Sequence, residues 1–252
     1  MKTALQLILL LLTSISANAH FQTLIPDSDI VDDVSKPLAL SLQFTHPMEW
    51  GPRMDMAMPR QFGVLSGGRR TDLLGSLKQV TLEGKSAWTA EYKGNAPGSC
   101  VFYVEPAPYW EKAERKYIIH YAKVVVDFLG SGEGWDGLVG LPVEIEPLSR
   151  PFGLYTGNSF RGIVLRDGKP VPFATIEVEY YNEGRKAEAP TGMHVTQVVK
   201  TDASGVFSYS MPRAGWWGFA ALIEGEKVKG PDGKDADTEL GALIWVKAYP
   251  WN

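Results

Sequence analysis

KYIIHYAKVVVDF, Lys116 to Phe128, is the stretch that decides the fold. From Tyr117 onward, one parity holds Ile118, Ala122, Val124, Val126 and Phe128, with His120 among them. Side chains of a strand alternate faces with period two, so these residues line one side of a long β-strand. The same reading extends in both directions. Leu38, Leu40, Leu42 and Phe44 alternate with smaller or polar residues, and Trp88, Ala90 and Tyr92 share one parity. Almost no segment repeats apolar residues at helical spacing. Short alternating runs broken by Gly, Pro, Asn and Asp recur instead, as in sandwiches and barrels. The chain is expected to be all-β.

Gly130 to Gly140 is glycine-rich, and Pro142 to Pro151 holds three prolines, so the domain boundary is placed there. The expected organisation is a leader over residues 1–19, an N-terminal β-sandwich over 20–146 and a C-terminal β-sandwich over 147–252. The second half reads as a seven-strand-type module, with strands expected at Asn158 to Leu165, Ala174 to Tyr181, Val195 to Lys200, Val206 to Met211, Gly218 to Glu224 and Leu240 to Ala248. Its "DGKPVPFATIEV" and "TDASGVFSYSMPRAGWWGFAAL" blocks resemble the prealbumin-like or carboxypeptidase-regulatory type of sandwich, a module that usually serves as spacer or platform.

Met1 to Ala19 has the layout of a secretory signal peptide. Lys2 is the basic start, Ala4 to Leu12 the apolar run, and Ala17-Asn18-Ala19 an A-x-A cleavage site. The apolar run is shorter than the roughly 20 residues a bilayer requires. The expected location is therefore the periplasm or the cell exterior, without membrane insertion after cleavage. Losing Lys2 leaves 24 of the 25 basic side chains against 29 acidic ones, a balance that argues against nucleic acid and anionic membranes as partners. Cys100 is the single cysteine, so no internal disulfide and no zinc-finger or iron–sulfur site is possible; a buried, inert thiol is expected.

Cleavage after Ala19 would free the α-amine of His20. That residue then offers an amine and an imidazole nitrogen to one ion, a clamp suited to nickel, copper or cobalt rather than magnesium or calcium. His46 follows Phe44 in parity and His120 follows Ile118, so both imidazoles should point into the first sandwich. Singly, each reads as a core histidine. Together with His20 they supply four nitrogen donors. "HPMEWGPRMDMAMP" adds Met48, Met54, Met56 and Met58. Met48, two residues from His46, is the candidate thioether ligand; the other three are expected to fill an apolar gap in a flexible flap that serves as a lid over the site. His194 is expected to be exposed, and the pairs Asp32/Asp33 and Asp235/Asp237 solvated. "PYWEKAERKY" is read as a short bridging segment packed on the core. No G-x-S-x-G elbow, H-E-x-x-H or Walker loop occurs, and no catalytic residue is assigned.

Several ordered blocks, "AHFQTLIP", "HPMEWGPRMDM", "FYVEPAPYWE", "KYIIHYAKVVVDF" and "ELGALIWVK" among them, resemble the DUF4198 family of exported proteins, in particular its nickel-transport branch. The resemblance implies a periplasmic, non-enzymatic component beside a membrane nickel/cobalt energy-coupling-factor transporter, with Ni(II) or Co(II) as cargo. The site residues expected are His20, His46, His120 and Met48. Rival readings are a copper chaperone or resistance protein using the same clamp, a copper oxidase, and a structural or adhesive β-sandwich without metal.

Overall fold

The computed structural model describes residues 20–251; the leader, Met1 to Ala19, lies outside the described residues. Within them the chain is built of strands, and the helical elements are three short 3-10 turns. The strands used below are β1 (Phe21–Pro26), β2 (Leu38–Thr45), β3 (Gln61–Ser66), β4 (Arg69–Asp72), β5 (Lys78–Leu82), β6 (Lys85–Tyr92), β7 (Gly98–Glu105), β8 (Tyr109–Glu111) and β9 (Lys116–Phe128). They continue as β10 (Val143–Pro147), β11 (Ser159–Arg166), β12 (Thr175–Tyr180), β13 (Gln197–Lys200), β14 (Val206–Ser210), β15 (Gly215–Glu224) and β16 (Asp235–Tyr249). The all-β expectation holds.

The central sheet runs β13-β12-β15-β16-β9-β7-β3-β4, and β8 pairs with the start of β9. A second sheet, β1-β2-β6-β5, covers one face. A third, in which β10 and β14 pair with β11, covers the other. The side-chain parity explains these layers. Ile118, Ala122, Val124, Val126 and Phe128 pack with Leu24, Leu42 and Phe44 of the second sheet. Tyr121 and Val125, of opposite parity, pack with Val143, Ile145 and Phe160 of the third. β9 is thus buried on both sides. Its polar members on the second face are compensated: the Lys123 ammonium donates to Glu144 at 3.1 Å, and Glu144 also accepts the backbone N–H groups of Val139 and Gly140. A buried charge is tolerated when it is paired and hydrogen-bonded in this way.

The two halves of the chain meet along β9 and β16, which pair in parallel from Lys116 opposite Asp237 to Val124 opposite Trp245. Their long flanking neighbours, β7 beside β9 and β15 beside β16, are antiparallel. β16 alternates Leu243 and Trp245 toward one core with Ala242, Ile244, Val246 and Ala248 toward the other. That two-sided burial accounts for its near-continuous apolar run. The expected boundary between Glu146 and Pro147 falls within β10, which pairs with β11. The solvated reading holds for Asp235 and Asp237, which form exposed ion pairs with Lys229 and Lys227, although both lie in β16 rather than in a turn.

Candidate functional site

β1 fixes the first candidate donor. All six of its residues are buried, and it is bonded to β2 with Phe21 opposite Thr45, which sets His20 across from His46. Trp245 Nε1 donates to the Gln22 carbonyl at 3.0 Å, and its ring meets Phe21 edge-on at 6.0 Å. The strand that follows His20 is therefore anchored to the centre of the molecule.

The His20 and His46 rings lie 4.5 Å apart, centroid to centroid, tilted at 55°. They share a cleft of about 570 Å³ whose other walls include Met54, Tyr109 and Glu111. His20 Nε2 is 3.2 Å from Glu111 Oε2. Burial lowers the His20 pKa below that of an ordinary histidine; the Glu111 carboxylate opposes this, and the charge of His120 adds to the lowering. His120 lies behind Phe44, whose ring is 6.1 Å from it edge-on and 5.6 Å from His20. Its Nε2 faces Glu239 Oε1 at 3.1 Å. Burial would raise the Glu239 pKa, but the hydrogen bond and charge of His120 and the Lys116 ammonium at 2.6 Å bring it down to about 2. His120 Nδ1 is buried without a hydrogen-bond partner among the described residues. His120, Phe44 and Tyr109 also line a smaller cavity of about 40 Å³ beside Met56.

The predicted residues are thus distributed unequally. His20 and His46 stand together, and His120 is one ring away. Met48 lies elsewhere: its N–H donates to Glu179 at 3.1 Å, its carbonyl accepts from Asn182 at 2.9 Å, and it lines a cleft with His194. The turn after His46 is drawn to β12, which the spacing of two residues does not foretell. Burial raises the Glu179 pKa to about 8; the carboxyl accepts hydrogen bonds from Thr196 and Met48 and has no ion-pair partner among the described residues. The methionines at the histidines are Met54 and Met56, both buried; Met58 is exposed. The loose flap is corrected over this stretch. Arg53 and Met54 pair with Thr45 and Phe44, Met56 N–H donates to the Ser86 carbonyl at 3.0 Å, and Trp88 Nε1 donates to the Met56 carbonyl at 3.0 Å. His194 is exposed, as expected.

Glu111 and Glu239 are the site residues that sequence reasoning missed. Glu111 was hidden in "PYWEKAERKY", which folds as a hairpin of β8 onto β9 rather than as a plain bridge. Glu239 reaches His120 only through the parallel pairing of β16 with β9, which no local pattern encodes.

Gly241 explains the placement of His120. It stands opposite His120 in that pairing, and a Cβ built on it would lie 2.3 Å from His120 Cδ2 and 2.6 Å from Cγ. Only glycine leaves the ring this room. Gly241→Ala is expected to cost about 1–3 kcal/mol by overpacking while displacing the imidazole. If His120 serves the site, metal affinity falls by about 10–100-fold, the loss typical of a disturbed supporting residue. Titration alongside a thermal melt separates the two effects; a folded Gly241→Ala chain with unchanged affinity excludes His120.

A family model described as a domain of unknown function, DUF4198, matches residues 17–225. The chain belongs to the DUF4198 family. A comparison with characterised proteins gives no match. Among solved structures, this DUF4198 chain is similar to the Yersinia pseudotuberculosis adhesin InvE at 13% identity, covering 88% of this chain and 58% of that one, with a TM-score of 0.22. It is similar to the Escherichia coli alpha-2-macroglobulin domains MG0-NIE-MG1 at 9% identity, 90% and 72% coverage and TM-score 0.25. A tandem of titin Ig domains gives 10% identity, 92% and 97% coverage and TM-score 0.22. None of these likenesses bears on function. No helix among the described residues is long and apolar enough to cross a membrane.

Proposed function

We propose that this DUF4198 protein is a periplasmic metal-binding protein that captures Ni(II), or Co(II), and passes it to a membrane nickel/cobalt transporter. The reading is carried by one juxtaposition: the His20 and His46 rings at 4.5 Å in an open cleft, at the point where cleavage after Ala19 would create a new amine. Among the described residues no three His, Cys, Asp or Glu side chains converge closely enough to hold an ion. A site here therefore depends on a donor that is not a side chain, the α-amine of His20. With the His20 and His46 imidazoles it gives three nitrogen donors, and His120 is the candidate fourth. Such nitrogen-rich sites suit Ni(II), and they bind Cu(II) more tightly still. Met54 in the same cleft is the observation that favours the copper-binding alternative. Reversible delivery fits ligands that titrate near neutrality.

Binding must displace protons, because only the deprotonated amine and imidazoles coordinate. Unperturbed pKa values are about 7.7–8.0 for an α-amine and about 6.5 for imidazole. The direction of the His20 shift, downward, means its ring sheds its proton at a lower pH than an ordinary histidine. Affinity is expected to fall steadily from neutral pH toward pH 5, with more than one proton released per ion. Metal analysis of periplasmic protein with its native N-terminus, then calorimetry in buffers of different ionisation enthalpy, checks both statements. A native chain that carries no metal and binds neither Ni(II) nor Co(II) refutes the reading.

A further inference from the structure

The third sheet leaves part of the second face of β9 and β16 uncovered. Tyr121, Val125, Ala242 and Ile244 lie buried beneath it. Nearer the starts of both strands, Tyr117, Ile119 and Leu240 share that parity and are only half-buried. The parallel register sets Tyr117 beside Thr238 and Ile119 beside Leu240, and these four side chains line a groove of about 700 Å³. Pockets that take small organic molecules measure about 300–1,000 Å³. The groove shares no lining residue with the histidine cleft.

At one corner of this floor the polar groups have hydrogens to give. Arg166, the last residue of β11, is half-buried in the wall and donates an Nη1–H to the Glu224 carbonyl at 2.8 Å. The next residue, Gly225, donates its N–H to the Thr238 carbonyl at 2.7 Å, which brings Arg166 and Thr238 to the same corner. The guanidinium is thus oriented by a carbonyl, and its remaining N–H groups form the fork that grips a carboxylate at two points. The buried Thr238 hydroxyl has no hydrogen-bond partner among the described residues. The other charges of the walls are engaged or lie in water. Lys229 is paired with Asp235, and Arg60 faces Glu105 at 3.9 Å. Asp167 and Glu226 are exposed, where solvent and salt screen their charge.

We propose that this groove binds a small organic acid, its apolar body lying on Tyr117, Ile119 and Leu240 and its carboxylate held by Arg166. The site is separate from the histidine cleft, and no metal enters the argument.

The test is an NMR titration of the mature, metal-free chain with phenylbutyrate, phenylbutyramide and phenylbutylamine. These probes keep one apolar body and change the head group from anion to neutral to cation. Phenylbutyrate is expected to shift the Ile119 and Leu240 methyl signals and to bind at least about 10-fold more tightly than the amide, with the amine weakest. Arg166→Gln should weaken phenylbutyrate by about 10–100-fold, the loss that goes with a hydrogen bond to a charged group, and leave the amide unchanged. Arg161→Gln, an exposed arginine of β11 outside the groove, is the control and should change nothing. The native chain alone can overturn the proposal: by binding none of the probes at these methyls, by binding all three equally, or by preferring the amine, which would give the groove to Asp167 and Glu226. Equal losses in the two arginine variants overturn it as well, since net charge would then account for the effect.

Discussion

A mature chain carrying one extra residue ahead of His20 is expected to lose nickel affinity by more than the roughly 10–100-fold that follows loss of a supporting residue. The added residue turns the His20 amine into an amide, which neither carries a lone pair suited to coordination nor occupies a chain end. One ligand and the six-membered chelate it forms with the imidazole Nδ1 vanish together, while every side chain stays in place. β1 is buried from Phe21 to Pro26, so the amine position is set by the fold and the extended chain cannot easily slide to compensate. His20→Ala should approach the same loss through the imidazole, and His194→Ala should change little, because His194 is exposed in a 3-10 turn and bonded to Thr191. Calorimetric titration of the four proteins decides it. Equal affinity in the native and extended chains would move the site away from the N-terminus.

The second large effect concerns stability. Trp245→Ala is expected to destabilise the protein by about 3–5 kcal/mol, the range for deleting a large buried aromatic. Trp245 is fully buried; it touches Phe21 and Tyr181 edge-on, at 6.0 and 5.8 Å, and donates to the Gln22 carbonyl. Removing it leaves a cavity between β16 and β1 and strips that buried carbonyl of its donor. Against a total stability of about 5–15 kcal/mol for a typical protein, the melting temperature should drop on the order of 10 °C. Urea denaturation of Trp245→Ala and of the milder Trp245→Phe measures it. A loss below about 1 kcal/mol for the alanine variant would mean that β1 is not held as described. Because the same indole tethers β1, metal affinity should decline with stability in this variant, whereas the N-terminal extension lowers affinity and leaves the melting temperature unchanged.

Much of the site was legible because it depends on short-range geometry. Period-two alternation placed His46 with Phe44 and His120 with Ile118 on inward faces, and all four are buried in the same region. The A-x-A spacing leads to the expectation that cleavage makes His20 a chain end, and the register of β1 on β2 sets it opposite His46. Leu38 to Phe44, Trp88 to Tyr92 and Lys116 to Phe128 each disclosed a strand because apolar side chains of one parity face the same core and leave a trace every second residue.

The rest was decided by pairings between residues far apart in the chain. The second buried face of β9, with Tyr121, Lys123 and Val125, came from β11 and its partners folding back beneath the central sheet. Lys123 looks like a solvated cation in the sequence, and only Glu144 makes it a core residue. The adjacency of Glu239 and Gly241 to His120 exists because β16 enters beside β9 in parallel, across 119 positions of sequence for the Glu239 contact. Met48 turned toward Glu179 while Met54 and Met56 took the places beside the histidines, since the turn after His46 donates to Glu179 of β12 and accepts from Asn182 just beyond that strand. Local periodicity fixes which way a side chain faces. What it then meets depends on which distant strand closes against it, and that choice is made by the packing of both cores at once.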